Sequence, residues 1–598
     1  MTGPFRSIGA AALALAALLL SATAVAAADD LQAAVERLSA PDLGGRLTGT
    51  EGELRAAEYI AERLLEIGAT QLPGQKSLLV PFDFTAGVAD AGSRVWIGDE
   101  SWGAGDVSAL SFSDEGSVEG EVVFAGYGLK LPEGRDFSYD SYFGLDVADK
   151  IVVVLRYYPE DAEDETRAQL ARYAGLRYKA LHARELGAKG VIVVTGPRSA
   201  KAGELVPMSF DTASSGSGIV AASVSGAVAE RLFALAGKSL EESQAALDTA
   251  NPHATGFPLE GVRMRLETAV ARERRIAHNV VGVLPAQAGS DAPALLIGAH
   301  YDHLGKGGHG NSLARKDEQG QIHHGADDNA SGTVAVLETA ARLAEMERGR
   351  DVIVALWSGE ELGLLGSSSF VDDVHPESER LLACLNLDMV GRSRDNRLVV
   401  QGVGSSAEWR SLIERANVPV GFDLQLQDDP YLPTDSSSFN RVGVPCLNLF
   451  TGGHEDYHRP TDVAAKINYE DLERVVDLTT NLARRLVAAE TQLAFVRVEP
   501  KVQRGAAPAA VRAYTGTIPD YATEVEGLLL SGVIGGGPAD TAGLREGDVI
   551  VKFGKLEITN IYDYTYALEA VKVGEPLTVV YRRDGETLET TLTPTVRP

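Results

Sequence analysis

From about residue 276 to 490 the chain alternates apolar runs with amphipathic stretches, and that alternation leaves few folds open. The runs are Asn279–Leu284, Ala294–Ile297, Val352–Trp357, Cys384–Leu387 and Cys446–Phe450. Helical stretches between and after them include Ser331–Glu347, Ala407–Ala416 and Tyr469–Ala489. Uninterrupted apolar runs of this length suit strands buried on both faces, and alternation with helices makes such strands parallel. The expected fold is α/β, with a mostly parallel central sheet covered by helices on both faces. Functional residues should then gather at the carboxyl ends of the strands.

The loops after these runs carry the chemistry. Leu295–Ala299 leads into His300-Tyr301-Asp302, and Gly325-Ala326-Asp327-Asp328-Asn329-Ala330-Ser331-Gly332 precedes a helix. Val352–Trp357 leads into Ser358-Gly359-Glu360-Glu361, Cys384–Leu387 into Asp388, and Cys446–Phe450 towards Asp456-Tyr457-His458. Imidazole nitrogen and carboxylate oxygen are the ligands zinc takes when thiolates are scarce, and the chain has 2 cysteines in 598 residues. Two histidines and three carboxylates are too many for one tetrahedral zinc that keeps a position open. They suit two zinc ions sharing one carboxylate.

The set "GAHYDH", "GADDNASG", "SGEELGLLGS", "LNLDMVGR" and "DYHRPTD" resembles the co-catalytic two-zinc aminopeptidases, relatives of the glutamate carboxypeptidase and transferrin receptor group. These elements span about 160 residues in family order, and "LTGTEGELRAAEYI" upstream is similar to the family's opening segment. The resemblance implies that His300 and Asp388 hold one zinc and Glu361 and His458 the other, with Asp328 bridging. Asp328 is taken rather than Asp327 because the family's bridging residue directly precedes the Asn-Ala-Ser-Gly stretch. It further implies Asp302 as the acceptor that orients His300, Glu360 as general base, and a cis peptide bond after Asp328. Tyr431 lies where relatives can place a tyrosine that contacts the tetrahedral intermediate. His303, His309, His323, His324 and His454 match no ligand position and are expected to be solvated loop histidines. One departure is Thr434-Asp435-Ser436-Ser437-Ser438-Phe439, where relatives often read Asp-His. The two cysteines each open a Cys-Leu-Asn-Leu segment and are expected to be buried and unpaired.

The flanking regions complete the organisation. Residues 1–28 hold one basic residue, Arg6, an apolar run from Ile8 to Leu20, and Ala24-Val25-Ala26-Ala27-Ala28, the order of a cleavable secretory signal. The run is too short to span about 30 Å of hydrocarbon, so no stable membrane anchor is expected after its removal. The expected compartment is the periplasm or the exterior. Residues 29–118 are read as the first part of the catalytic domain and 271–497 as its zinc-binding part. Residues 119–270 resemble an inserted, β-rich protease-associated domain through "FAGYGL", "DSYFGLDVADKIVVVLR" and "KALHARELGAKGVIVV". This insert is expected to act as a lid over the active-site mouth. Residues 498–510 read as a linker rich in Ala, Gly and Pro. Residues 511–598 resemble a PDZ domain through "GVIGGGPADTAGLREGDVIVKFG", with Tyr514-Thr515-Gly516-Thr517-Ile518 as the loop for a peptide C-terminus.

The expected function is that of an exported aminopeptidase with two Zn²⁺ per chain. It would hydrolyse the N-terminal bond of peptides with free N-termini through a zinc-activated water and a glutamate base. The alternatives are a carboxypeptidase of the same fold, for which Arg392 and Arg394 could hold a C-terminal carboxylate, and a non-catalytic binding protein of the superfamily. With 55 Lys plus Arg against 84 Asp plus Glu, the formal charge is −29, which argues against a nucleic-acid partner.

Overall fold

Apolar runs bounded by polar loops become the strands of a mixed eight-stranded sheet in a computed structural model of the chain. The structure describes residues 30–595 apart from 132–137, 200, 209–216, 252–253, 288, 290, 309–310, 375–379, 489, 500–512 and 521–524. The expected signal segment and nearly all of the linker therefore lie outside the described residues, as does His309.

Two compact units divide the described chain. The first runs from residue 30 to Phe84 and from Ile276 to residue 499. Its sheet contains β1 (Leu79–Asp90), β2 (Val270–Leu284), β3 (Ala294–His300), β4 (Val352–Trp357), β5 (Leu381–Leu387), β6 (Arg397–Gln401), β7 (Asp423–Leu426) and β8 (Cys446–Phe450). Their order is β1-β2-β4-β3-β5-β8-β6-β7. The central pairs β4–β3, β3–β5 and β5–β8 are parallel, whereas β2–β4 and β8–β6 are antiparallel. Alternate residues of the central strands enter different cores, as the two-residue period of a strand requires. Leu295, Ile297, Val354 and Leu385 pack with Ala56, Ile60, Leu337 and Leu482 of three helices. Leu296, Ile353, Trp357, Cys384 and Cys446 pack instead with Phe370 and Phe439. The sheet is thus covered on both faces. The chain leaves β3 towards β4 on one side and returns to β5 on the other, so the carboxyl ends of β3, β4 and β5 meet where strand order reverses.

The helix Glu51–Ile67 begins where Thr50 accepts the Glu53 N–H and ends at Gly68, whose φ of 93° suits glycine. Cys384 and Cys446 are neighbours across β5 and β8, buried and unbonded.

The second unit contains Thr85–Arg275 and the C-terminal module. Residues 85–118, read from sequence with the catalytic part, fold here. Arg94–Ile97, Glu100–Trp102 and Val107–Ala109 join a second eight-stranded sheet, pairing with Phe257–Thr268, with one another or with Val220–Val224. These strands are too short for their polar–apolar alternation to reveal which sheet they join; long-range pairing decides it. Two helices, Asp164–Ala171 and Leu176–Glu185, lie in this unit, separated by a break before Gly175. In the C-terminal module, Leu577–Arg583 and Glu586–Leu592 form a hairpin. Asp584 and Gly585 both have positive φ there, which a type I′ turn requires. Among the described residues, no helix is long and apolar enough to cross a membrane.

Candidate metal centre

His300 is the last residue of β3, Glu360 and Glu361 follow β4, Asp388 follows β5, and His458 lies in the loop beyond β8. Asp328 sits in the Ala326–Ser331 segment that leads into the helix Gly332–Ala344, with its peptide to Asn329 in the cis form. That segment is anchored at both ends. The Asn329 side-chain amide donates to the Leu387 carbonyl (2.9 Å), and its oxygen accepts the N–H groups of Gly332 (2.9 Å) and Met389 (3.2 Å). Gly325 has φ 56°, and a Cβ there would fall 2.2 Å from the Asp328 carbonyl oxygen and 2.5 Å from the His303 ring. Only glycine fits that turn without displacing the site.

These loops bring the carboxylates and imidazoles together. His300 Nε2 lies 3.3 Å from Asp328 Oδ1 and 3.5 Å from Asp388 Oδ1. His458 Nε2 lies 3.3 Å from Asp328 Oδ2 and 3.2 Å from Glu361 Oε2. The two oxygens of Asp328 therefore face different histidines. The Nδ1 of His300 is 3.2 Å from the Asp302 backbone oxygen and 3.6 Å from its Oδ1, and the Nδ1 of His458 is 2.8 Å from the Asn311 carbonyl. A neutral ring that donates from Nδ1 presents a lone pair at Nε2. Such a lone pair facing carboxylate oxygen is repulsive unless a proton or a metal ion lies between. The donor set therefore fits two cations that share Asp328. His458 has a positive φ of 55°, an uncommon backbone conformation for a residue with a Cβ.

The electrostatics agree with this geometry. Burial opposes charge on Asp328, but His303, His300 and His458 outweigh it and hold the carboxyl well below its usual range. Burial likewise opposes charge on His458, and Glu361 and Asp328 overcome it, raising the imidazole. Glu360 differs from its neighbour: burial pushes it well above the ordinary glutamate range, opposed by His300 and assisted by Asp388 and Asp435. Its N–H donates to Asp302 Oδ1 (3.1 Å), whose Oδ2 accepts from Thr48 (2.8 Å).

Asp327 is turned away from this centre. Its Oδ1 accepts from Gly391 N (2.7 Å) and Ser331 Oγ (3.0 Å), and its Oδ2 lies 3.1 Å from His454 Nε2. Tyr431 donates its hydroxyl to the Val498 carbonyl (2.6 Å), so that group is committed to the chain rather than held for a substrate oxygen.

Three histidines expected in solvated loops are buried. His303 Nδ1 lies 2.7 Å from Glu361 Oε1, and His323 Nε2 is 2.8 Å from Ser312 Oγ. His454 is the partner of Asp327. His324 is part-buried, 2.9 Å from the Ser39 carbonyl. His303 is 3.9 Å from Asp328 Oδ2, against 3.3 Å for His458, so His458 is better placed to share a cation with Asp328. His303, Asp328 and Glu361 nevertheless lie close enough together to hold an ion, and the His303 contact with Glu361 fixes that carboxylate. Arg46 is a further buried residue of the site. It is fully buried and donates to the carbonyls of Tyr301, His324 and Gly325, tying the Gly-rich N-terminal loop to both site loops. Burial lowers its pKa to about 10 against the pull of Asp302 and Asp328. Asp435 is buried, and burial, reinforced by Asp302 and Asp388 against the pull of His300, raises it to about 7. A sequence signal existed for His303, one residue past Asp302 in the same strand-end loop. None existed for the depth of Arg46.

The result is a strand-end site built on two histidine–carboxylate groups that share one aspartate, a candidate two-cation centre. Residues 279–483 match the model of peptidase family M28, residues 118–232 that of the PA domain and residues 504–593 that of the PDZ domain. The chain is 26% identical over 271 residues to Aminopeptidase YwaD of Bacillus subtilis, covering 42% of this chain and 55% of that protein. It is 26% identical over 225 residues to Leucine aminopeptidase 2 of Trichophyton rubrum, covering 33% and 42%. The chain thus spans about half the length of the curated relatives it matches. Among solved structures, an aminopeptidase from Aneurinibacillus sp. strain AM-1 is 21% identical with a TM-score of 0.47, covering 79% of this chain and 96% of that one. A zinc aminopeptidase from Bacillus subtilis is 22% identical with a TM-score of 0.44, covering 80% and 97%.

Proposed function

We propose that the chain is an exported aminopeptidase that binds two zinc ions and releases N-terminal residues from peptides. The observation that carries this reading is the division of Asp328 between His300 and His458, with Glu360 and Glu361 at the adjoining strand end. His300, Asp328 and Asp388 would hold one ion, and Asp328, Glu361 and His458 the other. When bound, the zinc pair would supply Lewis-acid polarisation of water and of the scissile carbonyl. The protein's own part is positioning and proton transfer. Glu360 takes a proton from the attacking water and returns it to the leaving amine nitrogen. Asp302 holds the Glu360 backbone through its N–H, and Thr48 holds Asp302. His303 keeps Glu361 oriented.

The carboxypeptidase alternative is weakened by the two arginines it would use. Arg392 pairs with Asp456 (3.2 Å), and Arg394 donates to the Gly453 carbonyl (2.7 Å). A non-catalytic protein would be expected to have lost ligands, yet all five positions and Glu360 are filled.

Aminoacyl-anilides should be cleaved and N-blocked peptides spared, with activity abolished by chelator and restored by zinc. Cleavage of N-blocked peptides from their C-termini would overturn the assignment. In the same assay the PA domain, read as a lid, should make large folded proteins poor substrates compared with short peptides; equal rates would remove that role. Export through residues 1–28 predicts a mature protein outside the cytoplasm beginning near residue 29, which N-terminal sequencing checks. The PDZ module is read as a receptor for a peptide C-terminus.

His303→Phe keeps an aromatic of similar size but cannot hold Glu361. It should lower zinc affinity about 10- to 100-fold, the usual scale for losing a ligand's supporting partner, and metal analysis across a zinc buffer series reads this directly. Unchanged zinc binding would show that His303 is only packed there.

A further inference from the structure

The C-terminal module ends its sheet with Thr517–Pro519, a strand at the edge whose pairing within the sheet is to Leu528–Val533. A peptide that adds to such an edge gains affinity from main-chain bonds and specificity from the pocket for its last side chain. Both features are unusual here.

The first concerns the edge. Gly516 O accepts from Ile534 N (2.7 Å), Ile518 O from Ser531 Oγ (3.2 Å), and Asp520 N donates to Leu529 O (2.8 Å). These residues therefore face Leu528–Val533, and by alternation Thr517 faces outward; the register slips between Ile518 and Pro519, and the Pro519 carbonyl also accepts from Ser531 Oγ (3.2 Å). Pro519 has no N–H. The free edge thus offers the Thr517 N–H and C=O, enough to pair only the last residues of a peptide.

The second concerns the pocket. The loop before the strand should cradle the terminal carboxylate with backbone amides. Among the described residues the amides of Thr515 and Gly516 have no acceptor, and Gly516 has φ 72°. The helix Ile561–Ala570 lies beside this loop, with Ala513 N donating to Leu568 O (3.0 Å). At this end of the groove three hydroxyls form a closed ring. Thr515 Oγ1 is 2.9 Å from Tyr564 Oη and 3.0 Å from Thr517 Oγ1, which is 3.0 Å from Tyr564 Oη. Thr515 and Tyr564 are buried. Three bonds use the three hydroxyl protons, so each oxygen keeps one lone pair and the floor offers acceptors only.

We infer that this end pocket is built for a free peptide C-terminus whose last side chain is small and donates a hydrogen bond, such as Ser, Thr or Asn. An aliphatic side chain seated there would cover three lone pairs and supply no donor. The inference rests on the peptide-receptor reading of the module.

The test is fluorescence anisotropy with the full-length protein and eight-residue peptides, N-terminally labelled so that no free amine is exposed to the peptidase site. The peptides differ only in the last residue, Ser or Asn against Val or Leu, with a C-terminal amide as control. Ser- and Asn-ended peptides should bind at least about 5-fold more tightly, the scale of one added hydrogen bond. The amide should not bind. Thr515→Val with Thr517→Val and Tyr564→Phe removes all three hydroxyls while keeping shape, and should reverse the order. Tyr564→Phe alone should narrow it. Tighter binding of Val- or Leu-ended peptides by the natural protein would overturn the inference and leave the receptor reading standing. No binding by any free-acid peptide would overturn both.

Discussion

Glu360→Gln should leave zinc near two per chain while kcat falls at least ~10²-fold, the usual scale for losing a general base. Its neighbour should behave differently. Glu361 lies 3.2 Å from His458 Nε2 and 2.7 Å from His303 Nδ1, within one of the two donor groups. Glu361→Gln should therefore lose occupancy at one position and lose activity through that loss. The two residues diverge because successive side chains leaving a strand point in different directions. Glu360 keeps its backbone on Asp302, and its carboxyl is pushed up by burial; Glu361 is held down to about 2, its histidine partners overcoming burial. Metal analysis and steady-state kinetics on the pair separate the roles. If Glu360→Gln stripped zinc and Glu361→Gln kept both ions, the assignments would be exchanged. A pair of silent substitutions would remove the site altogether.

Asp328→Asn should lower affinity at both metal positions together, by at least ~10²-fold each. Each Asp328 oxygen faces a different histidine, at 3.3 Å in both cases, so an amide would place two N–H donors where one of the cations belongs. Asp327→Asn is the contrast. Its carboxylate serves Gly391, Ser331 and His454 inside the fold. Weakening those bonds should cost about 1–3 kcal/mol of stability while zinc binding survives. Isothermal titration with zinc and thermal melts measure the two effects independently. Loss of zinc in Asp327→Asn with retention in Asp328→Asn would place the bridge on the wrong aspartate.

What was legible in the sequence follows from what is local. The β3, β4, β5 and β8 segments could be read because each is an unbroken apolar run ending in a polar residue, and a parallel sheet brings such ends to one edge. His300, Glu360, Glu361 and Asp388 therefore appear together in a linear reading, before any tertiary contact is known. The hairpin at Asp584-Gly585 was equally readable, since both residues accept positive φ. The short strands from Arg94 to Ala109 were not, because nothing local distinguishes which of two sheets will pair with them.

The sequence by itself determined the strand-end chemistry: two imidazoles and a set of carboxylates delivered to one edge of an α/β sheet, with too few cysteines for any other zinc ligation. Only the tertiary structure decided which oxygen of Asp328 faces which histidine, and that Asp327, one residue away, turns into the fold. It alone decided that His303, His323 and His454 are buried rather than solvated, and that Arg46 joins a loop near the N-terminus to residues almost 280 positions later. The physical reason is that burial and the facing of side chains depend on contacts between segments far apart in the chain, whereas period and strand length are set by each segment alone.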